Sequence, residues 1–126
     1  MKIQLAAALI CSALLAGCAV QPVYSVPDQP ITAGKSLKHD QVRAAIARGA
    51  ARYGWKVRDE GPNTVVATID LRTHHAEVTI KYDARHYSIE YKNSNNLNYD
   101  GTNIHHAYNG WVHNLQSAIN AELSAS

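Results

Sequence analysis

Between residues 55 and 92 apolar side chains recur at every second position, and on either side of that stretch they recur at every third or fourth. A segment of period two cannot sit as a helix, and one of period 3.6 cannot sit as a half-buried strand. Trp55 and Val57 alternate with Lys56 and Arg58. Val65, Ala67, Ile69 and Leu71 share one face of the next strand, and Val66, Thr68, Asp70 and Arg72 share the other. Ala76, Val78, Ile80 and Tyr82 alternate with Glu77, Thr79, Lys81 and Asp83; Tyr87, Ile89 and Tyr91 alternate with Ser88, Glu90 and Lys92. The connections are short: a turn at Asp59-Glu60-Gly61-Pro62-Asn63, then Thr73-His74-His75, then Ala84-Arg85. Alternation with short connections describes an antiparallel meander that is dry on one face and wet on the other.

The flanks are helical. Over Ser36 to Tyr53, Val42, Ile46, Gly49 or Ala50 and Tyr53 form a stripe, with Ser36 or His39-Asp40 marking the start and Gly54 the end. Arg43, Arg48 and Arg52 lie off the stripe and read as a solvated face. At the other flank Ile104, Tyr108, Trp111 or Val112, Leu115, Ile119 and Leu123 form a second stripe, with Thr102 or Asn103 as its cap. Two single-striped helices and one single-faced sheet are buried most economically with both helices on the dry face. The expected fold is therefore α+β, a four-stranded antiparallel meander in the order α-β-β-β-β-α. The segment before the first helix, near Pro30-Ile31-Thr32, can add a fifth strand at the sheet edge.

The N-terminus reads as a secretory signal. Lys2 supplies a positive start, Ile3 to Leu15 is an apolar run too short to span a bilayer, and the small pair Ala16-Gly17 precedes Cys18. Leu15-Ala16-Gly17-Cys18 resembles the lipobox of bacterial lipoproteins. That resemblance implies cleavage after Gly17 and lipid on the sulfur and amine of Cys18, so that the protein is tethered to a membrane and does not span it. Ala19 stands where an Asp commonly marks inner-membrane retention in Gram-negative lipoproteins. The expected location is the outer membrane, facing the periplasm. The expected organisation is a cleaved signal over 1–17, a lipidated tether rich in proline over 18–35 and one domain over 36–126.

Cleavage removes 17 of the 126 residues and leaves 109, enough for one small core. Cys11 leaves with the signal and Cys18 is consumed by lipid, so no internal disulfide is available and stability must come from packing. The formal charge of +2 drops to +1 without Lys2, and acids and bases are interspersed. Without a basic stripe, nucleic acid is not an expected partner, nor is a polybasic membrane patch.

Catalytic and metal motifs are absent from the sequence. There is no Gly-x-Ser-x-Gly motif, and no His-Glu-x-x-His motif or other histidine pair at a spacing of four. Adjacent His74-His75 diverge on a strand and adjacent His105-His106 diverge on a helix. No cofactor or metal is expected, and the protein reads as a non-enzyme. The densest polar and aromatic cluster runs from Asn93 to His113. Its candidate contact residues are Asn95, Asn96, Asn98, Tyr99, His105, Asn109 and His113, the last three at spacings of four along one helical flank.

Arg52-Tyr53-Gly54-Trp55, Ser94-Asn95-Asn96-Leu97-Asn98-Tyr99 and the run Ile104-His105-His106-Ala107-Tyr108-Asn109-Gly110-Trp111-Val112-His113-Asn114-Leu115 resemble a group of small proteobacterial lipoproteins. The resemblance implies the location and the fold and supplies no catalytic residues. The expectation is a lipid-anchored interaction module that contacts an envelope protein or a cell-wall component through the Asn-Tyr-His segment. The alternative is a small-ligand or metal-binding domain using His105, His113 and Asp100.

Overall fold

A computed structural model describes residues 19–126. The signal segment and Cys18 lie outside the described residues. The elements in chain order are β1 (Val20–Pro22), β2 (Val26–Pro30), α1 (His39–Arg52), β3 (Lys56–Gly61), β4 (Thr64–Leu71), β5 (His74–Tyr82), β6 (His86–Asn95), β7 (Asn103–His105) and α2 (His106–Ala125). The fold is α+β. The main sheet is antiparallel in the order β2-β6-β5-β4-β3, so the meander β3 to β6 is extended by β2 at one edge.

The alternation sets the register. Val65, Ala67, Ile69, Ala76, Val78, Ile80, Tyr87 and Ile89 turn to one face and meet Val42, Ala45, Ile46 and Ala50 of α1 and Tyr108, Val112, Leu115 and Ile119 of α2 in one core. Both helices therefore cover the same side of the sheet. They approach closely where α1 carries Gly49, whose position faces the backbone of Ile119. Leu71, at the end of its apolar row, is 41% exposed, while Val66 is fully buried on the outward face between Arg58 and Thr79.

Three local features depart from the sequence pattern. Residues 20–32, expected as a tether, are built into the domain: β1 pairs with β7, β2 pairs with β6, and Val26 is buried. Their prolines are tolerated because β2 is an edge strand with an irregular register. The fifth strand thus lies at Val26–Pro30, slightly before the expected place. Second, β6 runs on to Asn95, and a register shift opposite Glu77-Val78 resets its alternation at Lys92. Third, α2 begins at His106, not at Thr102 or Asn103, because Asn103–His105 pairs with β1 before the helix starts.

Candidate functional site

The loop after β6 is held by its own side chains. Leu97 is buried at its centre, and the residues beside it, Asn96 and Asn98, adopt left-handed angles of φ 61° and 53°. Asparagine tolerates that region better than most residues, which accounts for the Asn-rich composition. The Asn96 amide donates to the Thr73 carbonyl at 2.7 Å, and His74 Nδ1 donates to the Asn96 carbonyl at 2.8 Å. Asp100 closes the loop by accepting the backbone N–H groups of Thr102 and Asn103 at 2.9 and 2.7 Å. Those two bonds hold its carboxyl below the usual carboxylate range.

On this loop Tyr99 stands 40% exposed and lies flat against Tyr91, with ring centroids 3.9 Å apart. Tyr91 hydrogen-bonds Ser94 at 2.7 Å and meets Tyr108 edge-on at 5.7 Å. The Tyr108 hydroxyl is buried without a hydrogen-bond partner among the described residues, and burial pushes its ionisation up. Trp111 and His74 form a tilted pair at 6.3 Å. Tyr91, His74 and Trp111 were not among the contact residues expected from sequence. Tyr91 reads there as a plain core position, and the loop that brings Tyr99 over it has no periodicity to follow.

His105, Asn109 and His113 do not share one helical flank. His105 lies before the helix as its N-cap, and its Nδ1 accepts the Ala107 N–H at 3.1 Å. Asn109 is buried and bound inward: it accepts from Tyr24 N at 2.9 Å and donates to the Pro22 carbonyl at 2.9 Å and to Gln21 Oε1 at 3.4 Å. His113 is stacked on Tyr24 at 3.8 Å. An open groove of about 730 Å³ runs here, lined by Gln21, Pro22, Tyr24, His106, Gly110 and His113 among others. Asn95 lies in β6 opposite His75, apart from this groove.

No group of three His, Cys, Asp or Glu side chains converges on one point among the described residues. Asp100 Oδ1 accepts within its turn and His105 Nδ1 within its cap, and with His113 they form no group that could hold a metal ion among the described residues. The outward face of the sheet instead carries an ionic network. His75 lies 2.7 Å from Asp70 and 3.4 Å from Glu77, Arg58 reaches Glu77 and Glu60, and Lys92 reaches Glu60. The bond to Asp70, and then that to Glu77, raises the His75 pKa above its ordinary value.

No protein-family model matches the chain, and neither does any curated protein or solved structure. No helix among the described residues is long and apolar enough to cross a membrane.

Proposed function

We propose that this protein is a lipid-anchored envelope protein, held in the outer membrane through Cys18 and facing the periplasm, that works as a non-enzymatic contact module. The sequence grammar from Lys2 to Cys18 supports the anchor. The observation that carries the contact reading is Tyr99, an exposed ring already stacked on Tyr91 in a loop fastened by Asn96 and Asp100. A large aromatic fixed before binding loses little entropy when a partner covers it. Asn96 and Asn98 set the backbone of the same loop, Asn95 lies at the end of β6 opposite His75, His105 caps α2, and Asn109 and His113 hold the N-terminal segment. The partner is an envelope protein or a cell-wall component.

Photo-crosslinking in living cells tests this reading. A probe replacing Tyr99 is expected to yield one discrete adduct, and a probe replacing Thr79 on the outward sheet face is expected to yield none. No adduct at Tyr99, or equal adducts at both sites, would overturn the assignment of the surface. Loss of labelling by fatty acid in Cys18→Ala checks the anchor separately.

A further inference from the structure

The residue that would carry the lipid is one residue away from the folded domain. Val20 already pairs with His105, and the Ala19 carbonyl accepts the His106 N–H at 3.1 Å. Consecutive Cα atoms are about 3.8 Å apart, so a lipid on Cys18 would be joined to the domain through Ala19, which is held at the start of α2. A flexible tether would let the domain tumble above the surface; among the described residues, Ala19 is already hydrogen-bonded into the domain.

The face next to that point is free of formal charge. Residues 19–27 and 101–121 contain no Asp, Glu, Lys or Arg. These two segments lie against each other through the β1–β7 pairing, the Asn109 bonds to residues 21–24 and the Tyr24–His113 stack. Val20, Gln21, Pro22, Ser25, His106, Gly110 and His113 are exposed on it. Asp28 and Asp100 border these segments, Asp100 accepting from the backbone of Thr102 and Asn103, and the ion-paired side chains lie farther off, on α1 and on the outward sheet face. Moving formal charges against a bilayer costs free energy through lost hydration, and an uncharged surface avoids that cost.

We infer that the domain rests directly on the lipid bilayer, with β1, β7 and the first turns of α2 against the headgroups and the outward sheet face toward the periplasm. This inference rests on the reading that Cys18 is lipidated. The loop bearing Tyr99 borders the seated face, because the Thr102 carbonyl accepts the Val23 N–H. A partner reached through Tyr99 is therefore itself close to the membrane. Basic side chains do not contribute to the seating, so it is insensitive to salt.

The test uses full-length chain expressed in a bacterial host that processes lipoproteins, with the lipid on Cys18 checked by mass spectrometry. With Cys11 removed and Cys18 blocked, single thiols can be labelled with a fluorophore at Gln21→Cys, Gly110→Cys, Lys56→Cys and Glu90→Cys. The protein is reconstituted into phosphatidylethanolamine and phosphatidylglycerol vesicles bearing a headgroup quencher. Severalfold stronger quenching at 21 and 110 than at 56 and 90, unchanged by salt, is the expected result. Insertion of about twelve Gly/Ser residues after Cys18, adding a reach of about 20 Å, should even out the four sites. Lipidated protein with equal quenching at all four sites overturns the seating and leaves the anchor standing. So does weaker quenching at 21 and 110, which would leave that face to a protein partner. Absence of lipid on Cys18 overturns both.

Discussion

A Cβ atom placed on Gly49 of α1 would lie 2.8 Å from both the Cα and the N of Ile119 in α2. The obstacle is backbone, so no side-chain rotation relieves it. Gly49→Ala should force the helices apart and destabilise the domain by about 1–3 kcal/mol, as overpacked cores do. For a domain of this size each kcal/mol lowers Tm by roughly 4–8 °C. Gly110→Ala is the matching control, since nothing lies within 4 Å of its Cβ position and it sits exposed in the same α2. It should raise stability by about 0.5–1 kcal/mol through helix propensity and a less flexible unfolded chain. Thermal unfolding of the two variants should move in opposite directions. A Gly49→Ala protein as stable as the parent would contradict the close helix contact.

Asn109 joins α2 to the N-terminal segment through the backbone of Pro22 and Tyr24 and the side chain of Gln21. Asn109→Leu keeps the approximate size and removes all three bonds, leaving the Tyr24 N–H and Pro22 carbonyl without these partners. The expected loss is about 1–3 kcal/mol for the stranded polar groups. Hydrogen exchange should accelerate at residues 20–25 before it does in the core strands. Uniform acceleration, or none, would show that Asn109 does not secure this segment.

The meander and both helical stripes were legible because eight to ten residues of β4, β5 and β6 display a period, as do α1 and α2. β1 and β7 are three residues each, too short for any period to show. Prolines in residues 22–30 read as a tether because proline usually opposes sheet pairing, yet an edge strand accepts it. The role of Asn109 was hidden for another reason: its partners lie more than 80 residues away. A spacing of four from His105 through His113 suggested one flank, and pairing of β7 with β1 took His105 out of the helix. Tyr99 was legible as a contact candidate, but its stacking on Tyr91 required the loop to fold back.

Two buried tyrosines should respond differently to loss of their hydroxyls. Tyr87 Oη donates to Asn120 Oδ1, whereas Tyr108 Oη has no partner among the described residues. Tyr87→Phe should cost about 1 kcal/mol and leave the Asn120 carbonyl short of a donor. Tyr108→Phe should be neutral or stabilising, because it removes a desolvated hydroxyl that makes no bond. Urea denaturation of both variants checks the contrast, and a costly Tyr108→Phe would mean that its hydroxyl does find a partner.

His75 should make stability depend on pH near neutrality. Its folded pKa lies above the ordinary 6.5, chiefly through Asp70 and then Glu77, and Glu77 also faces Arg58 and Asn93. The protonated form is therefore favoured by folding. Its contribution is complete below the unfolded pKa and is lost as pH rises through the folded one. A pair this close to solvent is worth under about 1 kcal/mol. The stability difference between parent and His75→Gln should be larger at about pH 6 than at about pH 8. Comparing the two proteins cancels His39, which shifts in the same direction through Asp40. A difference that grows with pH would contradict the ion pairs.

Asn98 separates a backbone role from a contact role. It sits at φ 53°, and its side chain makes no hydrogen bond within the described residues. Asn98→Gly should therefore hold or slightly improve stability, since glycine adopts left-handed angles freely. Asn98→Ala should cost up to about 1 kcal/mol, because alanine populates left-handed angles less readily than asparagine. The same pair can be read for contact by carrying the Tyr99 probe in each background. If the asparagine is needed only for its backbone angle, Asn98→Gly retains the Tyr99 adduct and Asn98→Ala weakens it in step with loop stability. If the amide itself touches the partner, both variants lose the adduct while Asn98→Gly remains as stable as the parent.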